Sequence, residues 1–266
     1  MKAAIILTLI GSSLAAPTPT IQERQFSGTG TSGFGSLNSL LSEFFDIPSL
    51  SSFGSSGSGF SLPTGLPSFS GLSGLRHKAR RATVSSTMNG VTGNSSCQPL
   101  TLIFARGTGE LGNMGTVVGP PLATQLQSQT DNNVTIQGVN YDASVAGDAT
   151  MGEDGGSAMA TLVKTALENC PDTKVVLGGY SEGAMVVHNA ASSLTADQIT
   201  AAVLFGDPLK FEGVGKLSTS DVKEFCATGD PVCENGANVI AHLSYGTDAT
   251  TAAQFLVKAA GISTSS

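Results

Sequence analysis

Apolar residues fall into short unbroken runs along the second half of the chain, separated by stretches with helical spacing. The runs at 100–105, 134–139, 174–178 and 200–205 are bounded by Gly, Pro or Asn and read as strands, and a shorter fifth lies at 222–226. Between them, Leu162, Val163, Ala166 and Leu167 recur at helical spacing within 157–167, and the segments 182–194 and 250–260 also suit helices. Asp248 stands where it would cap the last helix and Gly261 where it would end it. Strands that are apolar throughout, rather than alternating, are buried on both faces. Their alternation with helices predicts an α/β domain, a three-layer sandwich whose central, mostly parallel five-stranded sheet carries helices on both sides.

The first part of the chain has a different texture. Residues 1–16 hold one basic residue, a short apolar stretch and small residues near Ala15 and Ala16, the pattern of a secretory signal peptide and too short to span a bilayer. Between Ser27 and Gly74, 25 of 48 residues are Ser or Gly, with too few aliphatic side chains to offset chain entropy, so residues 17–81 are expected to form a disordered leader. It ends in Arg76-His77-Lys78-Ala79-Arg80-Arg81, read as a dibasic processing site that would start the mature chain near Ala82. The expected product is secreted and extracellular, without integral membrane contact, and monomeric. Residues 82–266 carry 7 basic and 17 acidic residues, a formal charge of −10, which disfavours a nucleic-acid partner.

The chemistry concentrates where the third strand meets a helix. Gly179-Tyr180-Ser181-Glu182-Gly183 is a G-x-S-x-G sequence in strand-to-helix context, where a tight turn projects the serine hydroxyl and the helix N-terminus offers free N–H groups to an oxyanion. Three histidines could serve as its base. His77 lies in the leader, and His188 sits seven residues further along the same helix, roughly 10 Å up its axis at about 1.5 Å per residue. His242, in an expected loop after Gly236, remains. The orienting carboxylate should lie between Ser181 and His242, where Asp207, Asp221 and Asp230 compete ahead of Glu212, Glu224 and Glu234. Asp230 stands between Cys226 and Cys233, whose bridge would fix its loop; Asp207, beside Pro208, is the runner-up. Four cysteines (Cys97, Cys170, Cys226, Cys233) allow three pairings. The stretch 105–110 after the first strand offers Thr108 as a second oxyanion donor. No His or Cys spacing implies a metal, and no cofactor is expected.

At these residues the chain resembles the fungal cutinase family. The resemblance rests on Ala-Arg-Gly-Thr-Gly-Glu-Leu-Gly-Asn-Met-Gly (105–115), Gly-Tyr-Ser-Glu-Gly (179–183), Val-Leu-Phe-Gly-Asp-Pro (203–208), Cys-Ala-Thr-Gly-Asp-Pro-Val-Cys (226–233) and Ala-His-Leu-Ser-Tyr-Gly (241–246). It implies a small α/β-hydrolase without a lid, a Ser181–His242–Asp230 triad, an oxyanion hole from Thr108 and the N–H of Glu182, and disulfides 97–170 and 226–233. It also implies a secreted serine esterase acting on cutin and short-chain esters, with acetylated xylan as the rival substrate. In another class altogether, the same chain would be an inactive surface protein using its Phe-rich leader. Two departures stand out: Glu182 where the family usually has Gln, and Thr108 where it usually has Ser. A carboxylate beside the nucleophile would oppose the oxyanion, so the Glu182 side chain is expected to turn away from the bound carbonyl, paired or solvated. Only 49 positions separate Ser181 from Asp230, which leaves no room there for a covering domain. The sequons at Asn94 and Asn133 are glycosylation candidates.

Overall fold

The computed structural model describes residues 85–93 and 95–263; the expected signal peptide, leader and processing site, and Asn94, lie outside the described residues. Five parallel strands, β1 (Leu100–Ala105), β2 (Val134–Gly138), β3 (Lys174–Tyr180), β4 (Ala201–Phe205) and β5 (Val222–Phe225), form one sheet in the order β2-β1-β3-β4-β5. Among the described residues six α-helices accompany it: α1 (Gly119–Gln129), α2 (Val145–Ala149), α3 (Glu153–Asn169), α4 (Glu182–Ser192), α5 (Val239–His242) and α6 (Ala249–Ala259). The five expected strands are all present, each within two residues of its expected ends.

Alternate strand residues divide the core into two layers. Leu102, Phe104, Val176, Val203 and Phe205 face α1 and α6, whereas Ile103, Ala105, Leu177, Ala202 and Leu204 face α3 and α4. This two-sided covering is why β1 to β4 read as continuous apolar runs. Edge strand β5 is half-buried, its Phe225 ring stacked on Phe205 at 4.7 Å. The opposite edge is closed by the segment before β1, where Gly90 N–H donates to Ile136 O and Gly138 N–H to Met88 O.

Three helical details depart from the pattern. Helix α1 was not foreseen; it opens on Pro120 and Pro121, which a helix tolerates only in its first turn. Helix α3 begins four residues before the expected 157 because Glu153 and Asp154 suit the positive N-terminal dipole end, while Gly155 and Gly156, poor helix formers, let α4 approach. A Cβ at Gly156 would meet Asn189 Cβ at 2.4 Å. Asp248 occupies the N-cap position of α6, but its side chain makes no capping bond. Gly261 does end that helix: at φ +66° it donates to Lys258 O while Ile262 donates to Val257 O, the paired bonds of a Schellman stop.

Two disulfides lock the domain. Cys97–Cys170 joins the approach to β1 to the end of α3 across 73 positions, and Cys226–Cys233 closes a loop of 7 after β5. On a chain-entropy basis the long bridge contributes about 4.5 kcal/mol and the short one about 2.5. Cys97→Ser/Cys170→Ser should therefore lower the denaturation midpoint more than Cys226→Ser/Cys233→Ser, whereas the second pair, which brackets Asp230, should cost more activity. Equal losses of both properties in the two variants would contradict this division.

Candidate functional site

Ser181 sits between β3 and α4 at φ 56° and ψ −121°, a backbone state unusual for a non-glycine residue. The turn is tight enough that neither flanking glycine has room for a side chain. A Cβ at Gly179 would lie 2.2 Å from Gly183 O, and one at Gly183 would lie 2.1 Å from Ala105 O. Packing of the turn against the end of β1 thus presents the hydroxyl at the carboxyl ends of the strands.

His242 arrives from the other end of the domain. It is the last residue of the single turn α5 rather than part of a loop, and α5 is started by the Asn238 side chain accepting from Ala241 N–H. Its Nε2 lies 3.0 Å from Ser181 Oγ and its Nδ1 lies 2.8 Å from Asp230 Oδ2. Tyr180, adjacent to Ser181, donates its hydroxyl to His242 O at 2.9 Å and so ties the two segments together.

Asp230 is fully buried. Its Oδ1 accepts from Val232 N–H at 2.6 Å and its Oδ2 from the Tyr245 hydroxyl as well as from His242. Burial works to raise its pKa, but the bonds from His242 and Tyr245 outweigh it and hold the carboxyl below the usual range. The sequence reading missed Tyr245, although it stands in the 241–246 segment. The competing carboxylates lie elsewhere. Asp207 bonds His188 at 2.9 Å and Leu209 N–H at 2.8 Å, Glu234 accepts from Gly229 N–H, and Asp221 lies in the turn before β5. His188 is thus engaged by Asp207, away from Ser181.

Among the described residues, His188, Asp207 and Glu224 are grouped with ligand atoms within 4.8 Å of one another. Burial, followed by the adjacent Asp207, pushes Glu224 up to about 8.

The loop after β1 is organised by two charges. Arg106 donates to Glu110 O and Tyr141 O, and Glu110 accepts from the N–H groups of Gly107, Thr116 and Val117. Thr108 is buried, and among the described residues neither its backbone N–H nor that of Glu182, the first residue of α4, donates a hydrogen bond. The Glu182 side chain is not solvated. It is 1% exposed and its Oε2 accepts from Thr108 Oγ1 at 2.8 Å, while burial, opposed by the Thr108 bond and reinforced by Asp148, pushes it up to about 8. Burial thus favours the neutral acid at residue 182, which lessens the repulsion expected of a carboxylate. Asn133 is exposed just ahead of β2.

This arrangement has close counterparts. A family model described as Cutinase matches residues 96–260. The chain belongs to the cutinase family. Cutinase 4 of Emericella nidulans is 63% identical over 178 residues, covering 67% of this chain and 79% of that protein, and a cutinase of Botryotinia fuckeliana is 46% identical over 173 residues, covering 63% and 86%. A Trichoderma reesei cutinase solved in complex with a phosphonate inhibitor superposes with a TM-score of 0.60 at 41% identity, covering 66% of this chain and 81% of that one. An acetyl xylan esterase, at 23% identity and a TM-score of 0.53, shares the fold. The protein is accordingly a serine carboxylic ester hydrolase on an α/β-hydrolase-like scaffold.

In this cutinase-family site the Tyr245 hydroxyl serves the ionised form of Asp230. A carboxyl depressed in the folded state adds stability that is present above its unfolded value of about 3.9 and is lost as pH falls through the folded value. Tyr245→Phe should cost about 2 kcal/mol at pH 7, the scale of a buried bond to a charged group. That cost should narrow on acidification below pH 4, as followed by thermal unfolding; a cost that stays constant with pH would show that the hydroxyl acts independently of the charge.

Proposed function

We propose that Ser181 is the nucleophile, His242 the general base and Asp230 the residue that orients the imidazole, with the N–H groups of Thr108 and Glu182 as the oxyanion donors. The observation that carries this reading is the continuous chain from Ser181 Oγ through His242 Nε2 and Nδ1 to the buried Asp230. Ser181 attacks the ester carbonyl as His242 takes its proton, and the negative oxygen develops against the two N–H groups. His242 then protonates the leaving alcohol, and a water activated by the same histidine cleaves the acyl-enzyme. Asp230 stays ionised throughout and holds the Nδ1 proton in place.

The substrate reading is a cutin-type aliphatic polyester together with short-chain esters. Large apolar side chains left exposed among the described residues include Leu111, Met151, Ile240 and Leu243. Leu111 follows Thr108 by three positions, Met151 follows Asp148 by three, and Ile240 and Leu243 flank His242, so the segments that build the site also carry an apolar rim. Such a rim favours aliphatic chains over a polysaccharide. The stretch from Ser181 to Asp230 is filled by α4, β4 and β5, which supports an uncovered site. The reading also has the enzyme acting outside the cell as residues 82–266, after loss of the signal peptide and leader, with glycans at Asn94 and Asn133. Two disulfides and the exposure of Asn133 support it, and no helix among the described residues is long and apolar enough to cross a membrane.

Ser181→Ala should abolish both ester turnover and labelling by a fluorophosphonate while leaving the melting temperature within a few degrees, and His242→Ala added to it should cost little more. Residual turnover in a clean preparation of the serine variant would refute the assignment. On substrate class, Ile240→Ser/Leu243→Ser should slow hydrolysis of polyester film more than that of a soluble short-chain ester. A wild-type preference for acetylated xylan over both would overturn the polyester reading.

A further inference from the structure

Thr108 Oγ1 lies within hydrogen-bond distance of two carboxyl groups, 2.8 Å from Glu182 Oε2 and 3.1 Å from Asp148 Oδ1. A hydroxyl has one proton and can satisfy only one of them. The remaining oxygens, Glu182 Oε1 and Asp148 Oδ2, are buried without a hydrogen-bond partner among the described residues. Two ionised carboxylates would leave one facing the Thr108 lone pairs, and uncompensated charge in this position is costly. A single additional proton resolves the arrangement: Glu182 donates to Thr108 Oγ1, and Thr108 donates onward to Asp148.

The surroundings favour retaining that proton. Asp148 on α2 and Asp142 and Tyr141 after β2 face Glu182, and Asp154 of α3 lines the same small cavity. Arg106 supplies the opposing positive charge, but its guanidinium is turned to the backbone oxygens of Glu110 and Tyr141. Burial raises both carboxyls, Glu182 to about 8.

We propose that Glu182 and Asp148 form a proton-sharing pair that positions Thr108 in the oxyanion hole, and that loss of the shared proton sets the alkaline limit of acyl transfer. The inference rests on the reading that Thr108 and the N–H of residue 182 hold the oxyanion. With the proton in place the hydrogen-bond chain runs in one direction, Glu182 to Thr108 to Asp148, and the pair carries a single negative charge. Without it a second charge appears on the side chain of the very residue whose N–H must stabilise the developing anion, and Thr108 is pulled between two acceptors. The side chains of Glu182 and Asp148 act as positioning groups in this scheme; neither side chain touches the reacting atoms. A glutamine at 182 would reproduce the protonated acid, since its amide donates to Thr108 and cannot ionise.

The test is the pH dependence of kcat/KM on one soluble short-chain ester from pH 6 to 9.5, corrected for spontaneous hydrolysis. Wild type should show a descending alkaline limb starting near pH 8, and Glu182→Gln should lack it, so that the variant-to-wild-type ratio rises at least about tenfold between pH 6.5 and 9.5. Asp148→Asn removes the neighbouring charge that holds the proton on Glu182, and should move the limb to lower pH. It is also the recourse if the glutamine variant does not fold. Parallel profiles for wild type and Glu182→Gln, or a limb unmoved in Asp148→Asn, would overturn the proposal. Retention of activity by Ser181→Ala would instead refute the underlying site reading, so the two failures are distinguishable.

Discussion

The backbone at Ser181 is the constraint on which the site depends. A non-glycine residue at φ 56° is strained, at a cost on the order of 1–3 kcal/mol, and persists only where its surroundings over-determine it. Here the surroundings are β3 on one side, with Ser181 N–H still donating to Phe205 O of β4, and α4 on the other, starting at the next residue. Gly179 and Gly183 let these pieces close on each other and on Ala105. The same closure brings the loop after β1, with Thr108, against the N-terminus of α4. One tight turn thus sets the Ser181 hydroxyl and, at the adjoining residue, an N–H that donates no hydrogen bond among the described residues.

Around this turn the carboxyl groups behave in two opposite ways, and hydrogen-bond supply separates them. Asp230 is fully buried yet stays ionised, because Val232 N–H, His242 and the Tyr245 hydroxyl all donate to it. Glu182 is as deeply buried but has within reach only the Thr108 hydroxyl, which Asp148 also contacts, and its second oxygen has no partner among the described residues. Burial without donors keeps a carboxyl protonated, whereas burial with donors keeps it charged. An acid at residue 182 is therefore compatible with oxyanion chemistry in a way that its formal charge would not suggest.

Stability and chemistry are also divided between the two disulfides. Cys97–Cys170 restrains the domain at large, tying the start of the sheet to the longest helix. Cys226–Cys233 closes a loop too short to restrict the unfolded chain much, and its effect falls on the position of Asp230. The Tyr245 ring, fully buried between Phe205 and His242, links that loop to the core.

The sequence by itself determined the parts of this protein that local pattern encodes. Strands buried on both faces must be apolar throughout, so β1 to β4 were legible as runs, and G-x-S-x-G between strand and helix marked Ser181 by its local geometry. Helix spacing alone set His188 aside, and the bracketing Cys226 and Cys233, together with the family resemblance, pointed to Asp230 among the competing carboxylates. Helix α1, opening on Gly119, Pro120 and Pro121, carries too weak a periodic signal to be read, and the Gly155-Gly156 start of α3 looks like a helix breaker until α4 is seen packed against it. Only the tertiary structure decided the partnerships. Asp207 paired with His188, Tyr245 joined Asp230, and Asp148 reached Thr108 from forty positions away. Nor could sequence assign the charge of Glu182, because a pKa depends on burial and on which donors are within reach. Those quantities are fixed by contacts between distant segments, and no local spacing records them.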